Sequence, residues 1–132
     1  MPLTRILNRR NPMKYVTIGI KALLSLAFLA AGLAKLSGVE MMVGTFDAIG
    51  IGQWFRYVTA LIEIGAAILL WVPGLVGLGA SLLTATMIGA VLTHFLIIGP
   101  SAVPAFVLGV LSAFIAWQNR ADVPVLGPML KA

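Results

Sequence analysis

Residues 60–119 read ALIEIGAAILLWVPGLVGLGASLLTATMIGAVLTHFLIIGPSAVPAFVLGVLSAFIAWQN, and the only ionisable side chains among them are Glu63 and His94. The apolar run is interrupted at Trp71-Val72-Pro73-Gly74 and again at Gly99-Pro100-Ser101-Ala102-Val103-Pro104. A helix at the surface of a soluble protein keeps a polar stripe for water, and no such stripe is present. Each uninterrupted piece approaches the roughly 20 residues that cross a bilayer core at about 1.5 Å per residue. A buried hairpin in a soluble protein would need more surrounding chain than 132 residues supply. The stretch therefore reads as membrane-spanning.

Working outward, the composition agrees. Hydrophobic residues make up 61% and charged residues 10%, against about 45–50% and about 25% in an average soluble domain. The length allows one domain. Cysteine is absent, which removes disulfides, thiolate nucleophiles, dithiol redox chemistry and Cys metal sites. The formal charge is +5, with Arg5, Arg9, Arg10, Lys14 and Lys21 gathered near the start. Beside an apolar helix such a cluster sets orientation and meets anionic headgroups. No nucleic-acid fold accompanies it, so nucleic acid is not an expected partner. The apolar run after Lys14 ends at a lysine rather than at a small-residue cleavage site, so no cleaved leader is expected.

The expected architecture is all-α: an integral membrane four-helix bundle with spans at about 15–36, 53–72, 75–98 and 104–119. A basic cytosolic tail, 1–14, precedes the four-span domain 15–119, and a cytosolic tail, 120–132, follows it. In the first tail a turn of interfacial helix is expected around Leu3, Ile6 and Leu7. Asn11-Pro12 marks the start of the first span, since proline suits a first helical turn. Lys21, Ser25, Phe28, Gly32 and Lys35 follow at steps of three or four and share a face. In the connection 37–52, Ser37 and Glu40 read as a capping box opening a short amphipathic helix. Val39, Met42, Val43, Phe46 and Ile49 form its apolar side, and Gly50 or Gly52 ends it. Four spans place both basic termini in the cytoplasm and the Glu40/Asp47 connection outside. The location this implies is a bacterial inner membrane.

The polar residues inside this apolar body are Lys21, Lys35, Arg56, Glu63 and His94. Helical rise places Glu63 roughly 13 Å above the inner boundary, Arg56 and His94 roughly 24–26 Å, and Lys35 roughly 27 Å. A carboxylate at mid-bilayer has to face the protein interior with a partner, or be protonated. Lys35 and Arg56 reach it from above and Lys21 from below, so the spacing leaves its partner open. Its role is open as well, between a lock joining the first two spans and a ligand or proton site. Lys35, Arg56, Glu63 and His94 are expected to form one buried polar pocket opening outward. With one histidine and no cysteine no metal site is expected, and no catalytic residue is assigned.

Gly32-Leu33-Ala34-Lys35-Leu36, Phe46 with Gly50, Glu63-Ile64 followed by Leu69-Leu70, Gly77 to Gly79, and Met87 through His94 together resemble the DoxX-like family over about residues 20–118. The resemblance implies a small four-helix protein of bacterial inner membranes. It maps the family's helix-one lysine, helix-two glutamate and helix-three histidine onto Lys35, Glu63 and His94. Lys21 stands where classical members carry an early arginine. Relatives include subunits of a thiosulfate:quinone oxidoreductase and a member of a membrane complex with antioxidant enzymes. The expectation is thus a non-catalytic helper or anchoring subunit of a larger membrane complex. The alternatives are a subunit binding quinone or another small hydrophobic ligand, and a small-solute transporter. Expected partners are the lipid bilayer, other membrane or membrane-associated oxidoreductase proteins, and a second copy. No cofactor is built in, and quinone is the one that the resemblance allows.

Overall fold

The computed structural model describes residues 12–99 and 102–123, and every regular element in them is helical. The elements are α1 (Pro12–Ser37), α2 (Glu40–Ile49), α3 (Trp54–Leu69), α4 (Val76–Thr93) and α5 (Val103–Gln118). A π-helical turn, His94–Ile98, continues α4, and a 3₁₀ turn, Arg120–Asp122, follows α5. The expected interfacial turn at Leu3, Ile6 and Leu7 and most of both tails lie outside the described residues.

Pro12 opens α1, where its missing N–H would have had no helical partner in any case. The buried positions of α1 are Leu24, Ser25, Phe28 and Gly32, so the small and aromatic middle of the predicted face is the packed one. α1 packs on α3, α3 on α4 and α4 on α5, while α5 closes back on α1. Thr17 Oγ1 donates to Gln118 Oε1 at 3.1 Å and ties the start of α1 to the end of α5. Leu24, Phe28, Ala66, Leu83, Met87 and Ile115 fill the centre. Gly32 sets the closeness of α1 and α3: a Cβ there would stand 2.5 Å from Ile64 Cγ1 and 3.2 Å from the Ala60 carbonyl oxygen. Such small residues let helices approach closely where no hydrophobic force separates protein from lipid.

α1 and the segment Val76–Ile97 are long and apolar enough to cross a membrane. Only 22% and 17% of their apolar windows are buried, whereas the core helix of a soluble protein would be mostly covered. Leu26, Phe95 and Leu96 instead point outward, each at least 70% exposed. Such a surface is stable against acyl chains and not against water.

α2 is the short amphipathic helix, with Phe46 buried, Met42, Val43 and Ile49 half-buried, and Gly50 at its end. Its start differs from expectation. Val39, not Ser37, is the N-cap, and no side chain caps α2. Ser37 still belongs to the last turn of α1 and its Oγ donates to the Ala34 carbonyl. Gly38, at φ 72°, closes that turn: its N–H donates to Lys35 O and the Val39 N–H donates to Ala34 O, both at 3.3 Å. This paired closure needs a left-handed residue, which glycine supplies without strain. The helix stop at Gly38 thus overrides the capping box.

Candidate functional site

The buried polar group sits where α1 ends against α3. Lys35 Nζ lies 3.1 Å from Glu63 Oε2 and 3.1 Å from Oε1. The Glu63 side chain is 2% exposed and that of Lys35 11%. Lys35 starts nearer the end of α1 and reaches along the helix on its flexible stem, so the ammonium meets a carboxylate lying deeper. The other basic group that could have come from below is engaged elsewhere. Lys21 Nζ lies 4.7 Å above the Trp71 ring, and the Trp71 indole donates to Ser25 Oγ at 2.6 Å.

Arg56 is 6% exposed and has a different task. Its Nη1 donates to the carbonyl of Lys35, at the negative end of the α1 dipole, where cations are favoured. Its Nε donates to Gln53 Oε1 at 2.7 Å and its Nη2 to the Tyr57 hydroxyl at 3.1 Å. The planar guanidinium fork serves three acceptors at once, which an ammonium could not do in this geometry. Gln53 passes the connection on: its Nε2 donates to Val43 O at 3.0 Å and to Asp47 Oδ1 at 2.7 Å. A continuous polar chain therefore runs from Glu63 through Lys35, Arg56 and Gln53 to α2. Gln53 and Tyr57 carry no distinctive sequence signal beyond their positions three before and one after Arg56.

Of the four residues expected to share a pocket, Lys35, Arg56 and Glu63 are together. His94 makes no hydrogen bond or ion pair with them among the described residues. It lines a separate groove between the π turn and the start of α5. Chemically, the Lys35–Glu63 pair supplies attraction between two helices, with both carboxylate oxygens already engaged. Among the described residues no three His, Cys, Asp or Glu side chains converge as a metal would require.

An all-helical membrane protein with a buried ion pair joining its first and third helices is the class these features define. A family model described as the DoxX-like family matches residues 19–117, and the chain belongs to that family. No curated protein and no solved structure matches it.

Proposed function

We propose that the chain is a four-span bundle of a bacterial inner membrane, both termini cytoplasmic, serving as a non-catalytic anchoring subunit of a larger membrane complex. α1 and the segment Val76–Ile97, α4 with its π turn, are long and apolar enough to span. α3 and α5, with 16 residues each, cover about 24 Å and gain length from the turns that follow them. The basic N-terminal cluster favours the cytoplasmic side. The observation that carries the anchoring role is the internal satisfaction of Glu63 by Lys35 at 3.1 Å. The ionisable groups most costly to bury are engaged in holding helices together, leaving an apolar outer surface for lipid and neighbouring proteins. Glu63 is accordingly a lock rather than a ligand site.

The test is purification of the tagged chain from its own membranes in lipid nanodiscs, without stripping by harsh detergent. The expected result is one or more membrane or membrane-associated proteins in fixed proportion to it. A chain that elutes alone or only with itself would remove the anchoring role. Glu63→Gln discriminates further: failure to accumulate fits the lock, whereas a stable, assembled but inactive variant assigns the carboxylate to function.

A further inference from the structure

Lys21 is a cation without a counter-charge among the described residues. The one ion pair in them joins Lys35 to Glu63, and Arg56 is engaged by three acceptors. Lys21 Nζ instead lies 4.7 Å over the Trp71 ring and makes no hydrogen bond or ion pair in that part of the chain. An ammonium carries three donors, and at the edge of a bilayer a basic group attracts anionic headgroups. Its level follows from two helices. α1 has 26 residues and measures about 39 Å, more than the roughly 30 Å of a hydrocarbon core, so its ends extend into the headgroups. Trp71 follows α3 directly, before the Pro73-Gly74 reversal, a position at which indoles mark the interface. The Trp71 N–H donates to the buried Ser25 Oγ at 2.6 Å, which fixes the ring on α1 against Lys21. Lys21 is half-buried and Trp71 47% exposed, so both keep surface toward lipid.

From this arrangement we propose that Lys21 and Trp71 form a site for one anionic phospholipid, its phosphate on the Lys21 ammonium. Ile68 and Leu61, seven apart on α3 and both more than half exposed, share a helix side and lead an acyl chain away from Trp71. Net negative charge is what the site selects, because a zwitterionic headgroup brings a second cation to a place that already holds one. A free phosphate would gain the ammonium alone, without the apolar track, so the ligand is the lipid. The inference rests on α1 spanning the membrane. It is separate from the Lys35–Glu63 lock and does not depend on the anchoring role.

The chain contains three tryptophans, so Trp54→Phe with Trp117→Phe leaves Trp71 as the one fluorescent reporter, in contact with the proposed site. This full-length variant is placed in phosphatidylcholine nanodiscs containing an equal minor share of either brominated phosphatidylglycerol or brominated phosphatidylcholine. The brominated phosphatidylglycerol is expected to quench Trp71 severalfold more than its zwitterionic counterpart. Lys21→Gln should bring the two to the same value, whereas Lys14→Gln, which removes a charge of the same helix away from Trp71, should leave the preference in place. The ratio of the two probes within each variant cancels any direct effect of the lysine on the indole. A second measurement needs no tryptophan change: in the native chain, spin-labelled phosphatidylglycerol should show a larger motionally restricted fraction than spin-labelled phosphatidylcholine, and Lys21→Gln should remove the excess. Equal quenching by both lipids, a preference that survives Lys21→Gln, or one lost alike in Lys14→Gln would each overturn the proposal, the last two by assigning the attraction to the basic tail as a whole.

Discussion

Two lysines on one face of α1 carry the same charge into unlike surroundings. Lys21 rests on the open face of Trp71, a contact worth about 0.5–1 kcal/mol at such a site, so Lys21→Gln should shift the thermal midpoint in mild detergent only slightly. Lys35 is held in the interior by Glu63, and removing either partner strands the other charge. Lys35→Met and Glu63→Met should each cost about 3–5 kcal/mol. The double variant, which leaves no charge to strand, should regain most of that loss. Melting of the four proteins completes the cycle, and a double variant no better than the worse single one would contradict the lock. Which cation pairs with Glu63 was not legible in the sequence, because Lys21, Lys35 and Arg56 all have the reach. The choice is made by Arg56 binding the end of α1 and Trp71 holding Lys21, and both are tertiary contacts.

At the scale of elements, the contact of α1 with α3 depends on the absent side chain of Gly32. Gly32→Val should overpack it against Ile64 and the Ala60 carbonyl at about 1–3 kcal/mol, and Ile64→Ala should restore part of the lost midpoint. If Ile64→Ala makes the glycine variant worse, the two helices are not in the proposed contact. The shared face of Ser25, Phe28 and Gly32 was readable beforehand from their helical spacing, and all three are buried together with Leu24; that the face meets α3 was not. The amphipathic α2 was readable for the same reason. Its cap was not: Ser37 and Glu40 satisfy a local pattern, but the paired closure through Gly38 extends α1 across the position where a cap would stand. The π turn leaves no mark in composition, because a histidine followed by four apolar residues fits it as well as an α-helix.

For the whole molecule, the proposed four-span arrangement makes a prediction about sides. The chain lacks cysteine, so single cysteines report without background. A Cβ at Gly44 has nothing within 4 Å, and Gly44→Cys should react with an impermeant maleimide on intact cells, whereas Asn8→Cys should react only after lysis. The opposite pattern would invert the molecule in the membrane. The Lys35–Glu63 contact also bears on biogenesis, since its partners are 28 residues apart in the chain and do not leave the ribosome together. α3 arrives at the insertion machinery with Glu63 near its middle and Arg56 near its start, and a charged residue at a helix centre opposes partitioning by about 2.5–3.5 kcal/mol. If α3 spans as proposed, α1 is expected to wait beside the translocon as a chaperone in cis, its Lys35 supplying the counter-charge that lets α3 leave the aqueous channel. Glycosylation reporters on truncated chains should show α3 inserting well behind native α1 and poorly behind α1 carrying Lys35→Leu. Equal insertion behind both would mean that the two helices meet only after each has entered the lipid alone.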